Sequence, residues 1–178
     1  MFKCIAKDLA QFTHGTKLRD KLKVIILSPG FMAVLLIRIQ IFFYSHNMLV
    51  CSYLIHRMNL NLHGIDVLPG ARIAGGLRIE HPSGVVIGAG CIIDSNCTIM
   101  QGVTLGVKNV SRERNDNCYP VIGSNVIIGA NASILGGITI GDGVKIGAHA
   151  LILKDCLPGT IWVLPDSTIE QESDRMDE

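Results

Sequence analysis

The chain lacks an excess of charge of either sign. Its 16 basic and 15 acidic side chains leave a net charge of +1, and a near-neutral chain has no long-range field to attract nucleic acid or an anionic membrane. Paired cysteines are also lacking, because the six cysteines form no Cys-x-x-Cys motif. We therefore expect neither a disulfide framework nor a metal site.

An export signal is not evident in the sequence either. The residues after Met1 include acidic and polar side chains, and they contain no apolar segment of signal-peptide length. Such a start is not typical of a secreted protein. A cytoplasmic location is therefore the expectation.

One long apolar run spans residues 24–44. Pro29, Arg38 and Gln40 interrupt it, and an arginine at the centre of a bilayer costs about 2.5–3.5 kcal/mol. We therefore predict two or three helices over residues 18–62, buried against the rest of the domain or against a partner subunit. Contact between the run and a membrane is the less favoured alternative.

A six-residue repeat dominates the chain from about residue 67 onward. Each repeat has one aliphatic residue, followed four positions later by a mostly small residue. The aliphatic positions are Val67, Ile73, Ile79, Ile87, Ile93, Ile99, Leu105, Ile122, Ile128, Ile134, Ile140, Ile146 and Ile152. The register breaks twice: a two-residue insertion follows Ile79, and a polar stretch separates Leu105 from Ile122.

This period is typical of a solenoid in which short strands turn a corner every sixth residue. Three sides make one triangular coil of eighteen residues, and the aliphatic side chains stack along the axis of the prism. We predict a mainly β protein with a parallel β-helix over residues 63–165. A loop at 106–121 would extend from it, a helical segment would occupy 1–62, and a polar tail would occupy 166–178.

Asp66 and His81 are the residues that first indicate chemistry. They lie fifteen positions apart, and the two-residue insertion is on the His81 side, so neighbouring coils would present them on the same face. A carboxylate beside an imidazole fixes its tautomer and stabilises its protonated form. His81 is therefore a candidate general base for a hydroxyl. The alternative is a surface hydrogen bond, although a bulge in the repeat contributes nothing to core packing.

Four segments resemble the serine acetyltransferase branch of the hexapeptide-repeat acyltransferases, and the likeness extends over about residues 28–165. The segments are GFMAVLLIR at 30–38, GIDVLPGARIAGGLRIEHPSGVVIG at 64–88, MQGVTLG at 100–106 and ILGGITIGDGVKIGAHALILKDC at 134–156. The resemblance implies a left-handed parallel β-helix and a homotrimer, with a dimer of trimers left open. It also implies transfer of an acetyl group from acetyl-CoA to a hydroxyl.

The same resemblance implies roles for single residues. Asp66 and His81 match the catalytic dyad of the branch, which transfers the acetyl group directly, without an acyl-enzyme. Glu80 matches an acidic residue of the acceptor pocket. The positions that match the acetyl-CoA groove between adjacent subunits are Gly106, Ala130, Lys145 and Ala148. No metal is implied.

The chain departs from the branch in the predicted loop. Members that act on serine usually end this loop with Asp-Arg-His-Pro, whereas this chain has Cys118 and Tyr119 at the arginine and histidine positions. The change removes a guanidinium that could grip a carboxylate bidentately. An aromatic ring, in contrast, stacks on the apolar face of a sugar. We therefore predict a sugar or polysaccharide hydroxyl as acceptor, with Cys118 and Tyr119 in its pocket.

Three alternatives stay open on the sequence. Tyr119 can simply pack under the loop, in which case it says nothing about a sugar. L-serine is the second candidate acceptor. A trimeric scaffold without catalytic activity is the third alternative, although a scaffold has no need of Asp66 and His81 beside a bulge.

Overall fold

The computed structural model describes residues 1–13, 17–109 and 118–164. Helices come first and short strands follow. The helices are α1 (Phe2–Phe12), α2 (Leu18–Leu27), α3 (Pro29–Ser45) and α4 (Leu49–His63). The strands are β1 (Asp66–Val67), β2 (Arg72–Ile73), β3 (Arg78–Ile79), β4 (Val86–Ile87), β5 (Ile92–Ile93), β6 (Thr98–Ile99), β7 (Thr104–Gly106), β8 (Val121–Ile122), β9 (Ile127–Ile128), β10 (Ser133–Leu135), β11 (Thr139–Ile140), β12 (Lys145–Ile146), β13 (Leu151–Ile152) and β14 (Ile161–Trp162).

The strands form three parallel sheets that make the sides of a prism. Sheet 1 has the order β1-β4-β7-β10-β13, sheet 2 has β11-β8-β5-β2, and sheet 3 has β14-β12-β9-β6-β3. Each strand therefore pairs mostly with the strand one coil away. Ile128 pairs with Ile146, eighteen positions along the chain, which is the coil length that the six-residue repeat predicts.

The two breaks in the repeat lengthen individual coils. Val67 pairs with Ile87 across the first break, twenty positions away instead of eighteen. Ile93 pairs with Ile122 across the second break, twenty-nine positions away. The strands on either side of each break keep their pairing, so the extra residues are accommodated at corners of the prism. Residues 110–117 of the predicted loop and the whole predicted tail lie outside the described residues.

The repeated aliphatic residues fill the interior of the prism. The largest fully buried side chains in the prism include Ile79, Ile87, Ile93, Ile99, Leu105, Ile122, Ile128, Ile134 and Ile140. Burial of one such side chain contributes about 1.5–3 kcal/mol to stability. Small residues occupy the corners, and among them burial raises the pKa of the Cys91 thiol to about 12 and that of Cys97 to about 11. These thiols therefore stay protonated at neutral pH and act as packing residues.

Helix α3 crosses the open end of the prism beside the first coil. Side-chain nitrogens of Gln40 and Arg38 donate to the carbonyl oxygens of Val67 and Ile73 at 2.8 Å and 2.6 Å. Gly30 lies so close to Ile79 that a β-carbon on it would sit 2.1 Å from the Ile79 carbonyl oxygen. One helix thus covers all three sides of the first coil, whose carbonyl groups have no further coil to pair with.

A buried ion pair attaches α1 to the same end. The Arg38 guanidinium donates to both carboxylate oxygens of Asp8 at 2.8 Å and 2.9 Å, and the two side chains are 3% and 1% exposed. Asp8 also accepts from the backbone N–H groups of Gly76 and Leu77. The pair is therefore fully hydrogen-bonded, which is the condition under which charges are tolerated in a protein interior.

The predicted helices of the apolar run are present as α2, α3 and α4. Part of α3 is buried against the prism and against α4, as the sequence analysis expected. In the described parts of the chain, no single helix is long and apolar enough to cross a bilayer. By length and composition, the bent pair of α2 and α3, which meet at 81°, passes the same test.

Candidate active site

His81 lies at one edge of the prism, which we call the His81 edge. Here the chain passes from sheet 3 to sheet 1, and the four turns stacked along this edge are 80–85, 100–103, 129–132 and 147–150. Backbone hydrogen bonds join each turn to the next, such as Gly102 N–H to Ser83 O at 3.0 Å and Asn131 N–H to Gln101 O at 2.9 Å. The turn with His81 is the longest of the four because it contains the two-residue insertion.

The insertion holds His81 away from the core. Pro82 and Val85 are buried and anchor the turn, and the Val85 N–H donates to the Pro82 carbonyl. His81 itself is exposed and has a φ of 54°, a left-handed conformation that is uncommon for a residue with a side chain. Asn131 and His149, in two other turns of this edge, have similar φ values of 58° and 61°, so the conformation is a feature of these corners. The turn therefore presents the imidazole to solvent at the prism edge.

Asp66 begins β1 directly beside this turn. Its N–H donates to Val85 O at 2.8 Å, and Gly84 N–H donates to Gly64 O at 2.8 Å, so the backbones on either side of the two residues are in contact. The structure thus brings the Asp66 and His81 segments together, as their spacing predicts. No hydrogen bond joins the two side chains within the described residues, and their catalytic pairing stays a prediction.

The hydrogen-bond partner of Asp66 comes from the helical segment, and no sequence motif singles it out. His56 of α4 contacts Asp66 Oδ1 through Nε2 at 2.8 Å. His56 is 9% exposed, whereas Asp66 is half-buried. A strand repeat gives no indication of this contact, because it depends on how α4 packs on the prism. The only signal in the sequence is a histidine, His56, within the predicted helix that ends before Gly64.

Glu80, the predicted acceptor residue, forms an ion pair with Arg78. Both side chains are partly exposed, and the Arg78 guanidinium lies 5.9 Å from the centroid of the Phe12 ring of α1. A cation over an aromatic face is an attractive contact. No motif in the sequence singles out Arg78. The structure therefore adds a guanidinium to the carboxylate that precedes His81.

Tyr119 and Cys118 lie on a different edge, which we call the loop edge, where the chain passes from sheet 1 to sheet 2. Tyr119 is 9% exposed, and its ring occupies the space beside Gly88 and Gly90, where a β-carbon would come within 2.5 Å and 2.2 Å of ring atoms. Cys118 is half-buried and packs against the core. The structure favours packing for Tyr119, because a ring buried in this way has no face for a sugar.

The predicted acetyl-CoA residues divide between the two edges. Ala130 and Ala148 stack on the His81 edge in successive coils, and Lys145 is exposed on β12, which leads to that edge. Gly106 ends β7 at the loop edge, where a β-carbon would meet only Leu135, at 3.9 Å. A single copy of the chain therefore does not bring all four residues together.

Comparison with known proteins gives consistent likenesses. Residues 119–154 match the family model described as bacterial transferase hexapeptide (six repeats). The chain is 35% identical to the serine acetyltransferase of Synechococcus elongatus over 99% of its own length and 72% of that protein. It is 37% identical to a serine acetyltransferase of Helicobacter pylori over 82% of this chain and 83% of that protein.

Solved structures show the same architecture. The serine acetyltransferase of Neisseria gonorrhoeae in complex with serine superposes with a TM-score of 0.79 at 32% identity, over 90% of this chain and 65% of that one. Isoform 3 of Entamoeba histolytica in complex with cysteine gives 0.82 at 30% identity, over 96% and 61%. The chain thus spans less than two thirds of either structure. The predicted left-handed parallel β-helix with N-terminal helices is confirmed.

Proposed function

This chain belongs to the serine acetyltransferase family of hexapeptide-repeat acyltransferases, and we propose that it acetylates the hydroxyl of L-serine with acetyl-CoA as donor. The family consists of acetyl-CoA-dependent O-acetyltransferases. The names of the relatives support serine over the sugar or polysaccharide acceptor that Cys118 and Tyr119 suggested. The buried position of Tyr119 removes the main argument for that sugar.

The charge beside His81 is the observation that carries the serine proposal. Serine is a zwitterion, with a carboxylate and an ammonium group that a neutral sugar lacks. Arg78 and Glu80 supply one group of each sign, one to three positions before His81. The guanidinium is suited to the serine carboxylate and the Glu80 carboxylate to the ammonium. Arg78 would thereby supply a cation in place of the arginine that the branch usually has at position 118.

His81 would act as the general base of a direct transfer. Its imidazole takes the proton of the serine hydroxyl as that oxygen attacks the thioester carbonyl carbon. The carbon–sulfur bond then breaks, and the imidazolium returns the proton to the departing thiolate of CoA. Asp66 stabilises the imidazolium between the two steps. Backbone N–H groups near the turn would stabilise the oxyanion.

The separation of the two prism edges supports a homotrimer. Glu80, Ala130 and Ala148 belong to the His81 edge or lead to it, whereas Gly106 belongs to the loop edge. A complete site would then need the His81 edge of one subunit and the loop edge of its neighbour, with acetyl-CoA between them. Co-purified mixtures of His81→Ala and Gly106→Trp chains, each inactive alone, would regain activity in such a trimer. A monomer by light scattering would contradict it.

The primary test is release of free thiol from acetyl-CoA with L-serine, L-serinamide or a panel of sugars, sugar nucleotides and oligosaccharides. We expect thiol release with serine. The rate of release should fall about 10²–10⁴-fold in His81→Ala, which is the usual contribution of a general base to the rate. His46→Ala is the matched control, because His46 is exposed at the end of α3, where it binds Phe42 O. Release with a glycan alone would overturn the serine proposal, and no release with any acceptor would favour the scaffold.

Arg78→Met tests the acceptor directly. It should lower kcat/KM for serine about 10–100-fold, because the loss of a hydrogen bond to a charged group weakens binding by about this factor. The KM for acetyl-CoA should change little. Arg57→Met, an exposed arginine on α4, should leave both unchanged. Equal use of serine and serinamide by the native protein would argue against a role for Arg78 in binding the carboxylate.

A further inference from the structure

The contact between α4 and Asp66 is more than a surface contact. His56 donates through Nε2 to Asp66 Oδ1 at 2.8 Å, and the imidazole side chain is 11% exposed against 38% for the Asp66 side chain. A hydrogen bond from a buried donor to a carboxylate restricts the rotation of that carboxylate. His56 is therefore in a position to set the direction in which Asp66 points.

The helix that carries His56 is itself fixed. Asn59, one turn later on α4, is 1% exposed and donates to Ala33 O on α3 at 3.0 Å. Ser52, one turn earlier, donates to Gln40 O at 3.0 Å. Helix α4 then ends at Gly64, whose φ of 66° turns the chain into β1. The imidazole and the carboxylate are thus joined by a short, ordered connection.

The second nitrogen of the His56 ring indicates which tautomer is present. Within the described residues, Nδ1 is buried without a hydrogen-bond partner. A hydrogen on Nδ1 would therefore be buried and unpaired, which is costly. The ring fits best with its single hydrogen on Nε2, directed at Asp66. In that form His56 is a fixed donor.

The other carboxylate oxygen of Asp66 is left for the turn that contains His81. Ser83 lies within 3.5 Å of the point where a β-carbon on Gly64 would stand, and Asp66 N–H is bonded to Val85 O. Oδ1 is engaged from the α4 side. Oδ2 is the oxygen that remains to accept a hydrogen bond, and it is the one that would support the His81 imidazole.

We propose that His56 is a positioning residue, which holds the Asp66 carboxylate so that it supports His81 during acetyl transfer. The proposal rests on the proposed function for its kinetic consequence. It extends the predicted pair to a series of three side chains, one from the helical segment and two from the prism. The helical segment would then contribute to catalysis as well as to folding.

Three variants test the proposal in the acetyl-CoA and serine assay. His56→Ala should lower kcat about tenfold, the value of one hydrogen bond to a charged group, and leave the KM for acetyl-CoA unchanged. The acidic limb of its pH–rate profile should move to lower pH, because an imidazolium without an oriented carboxylate is less stable. His56→Gln keeps an N–H donor and should restore most of kcat. His46→Gln, at an exposed histidine at the end of α3, is the matched control.

A measurement without turnover separates this proposal from the proposed function. The titration of His81 is followed by NMR of ¹⁵N-histidine-labelled full-length protein, with Asp66→Asn as reference. The midpoint should move to lower pH in Asp66→Asn and in the same direction in His56→Ala. An unchanged midpoint in His56→Ala would overturn the proposal. So would equal kcat values for the native protein and His56→Ala, or a His56→Gln variant no better than His56→Ala. If the native protein did not acetylate serine but the His81 midpoint still shifted in His56→Ala, only the proposal of serine as acceptor would be overturned.

Discussion

The helical segment and the prism differ in what they bury. Within the described residues, the buried charged and polar side chains all belong to the helices, and they are Asp8, Arg38, Gln40, Ser52, His56 and Asn59. The prism buries stacked isoleucine, leucine and valine with small residues at its corners. The difference follows from backbone hydrogen bonding, because inner coils pair with neighbours on both sides whereas the first coil has carbonyl groups left over. Arg38 and Gln40 donate to these carbonyl groups, whereas Ser52 and Asn59 donate to carbonyl groups of α3 and hold α4 against it.

The buried ion pair should give the largest effect on this comparison. Arg38→Met leaves Asp8 buried without its cation and leaves Ile73 O and Ala74 O without a donor. Removal of one partner of a buried pair costs about 3–5 kcal/mol. Urea denaturation at fixed protein concentration measures it. A loss below about 1 kcal/mol, as expected for the exposed Arg57→Met, would mean that α1 and α3 do not depend on this pair.

A cavity in the prism should have a similar or slightly smaller effect. Ile140 is fully buried on β11, and Ile140→Ala should cost about 2–5 kcal/mol through lost burial and the cavity left behind. Its neighbour Thr139 points outward, so Thr139→Ala should change stability by less than about 0.5 kcal/mol. Similar losses for the two variants would contradict the inward and outward assignment of this strand.

The close approach of α3 to the first coil should give an intermediate effect. A methyl group at Gly30 would lie 2.1 Å from Ile79 O, so Gly30→Ala forces the helix away from the prism. Overpacking of this kind costs about 1–3 kcal/mol. At Gly106 an added methyl group meets only Leu135, at 3.9 Å. Thermal unfolding should therefore separate Gly30→Ala from Gly106→Ala, and equal melting temperatures would refute the contact.

The smallest effect concerns pH and the end of α4. Burial lowers the pKa of His63 from its ordinary value of 6.5. His63 therefore binds a proton more readily in the unfolded chain than in the folded one, so it lowers the free energy of unfolding as the pH falls through 6.5. Urea titrations at pH 7.5 and 5.5 should show a smaller loss in His63→Gln than in the native protein. An equal loss would exclude a contribution from His63.

Much of the fold could be predicted because the prism repeats a local pattern. An aliphatic residue every sixth position determines the inward face of each strand, and the interruption after Ile79 marks the longer turn. The spacing of Asp66 and His81 likewise placed their segments in neighbouring coils. The contact of His56 with Asp66 could not be predicted, because helical periodicity does not determine how a helix is rotated on a sheet.

The predicted acceptor residues also show what a local sequence motif cannot determine. Cys118 and Tyr119 were interpreted from a loop motif alone, and the motif did not reveal that Gly88 and Gly90 leave space for the Tyr119 ring. Arg78 was overlooked because an outward arginine on a strand resembles a solvated side chain. Its ion pair with Glu80 is seen only in the structure, where the side chains before and after the inward Ile79 lie side by side.

By itself, the sequence determined the triangular coil, its aliphatic core and the turn that exposes His81, because each depends on residues close together in the chain. The tertiary structure alone decided that α3 covers the end of the prism, that His56 contacts Asp66 and that the Tyr119 ring is buried beside Gly88 and Gly90. These features depend on how independent elements pack. Packing is set by shape and by buried polar groups that must find partners, which no local pattern records.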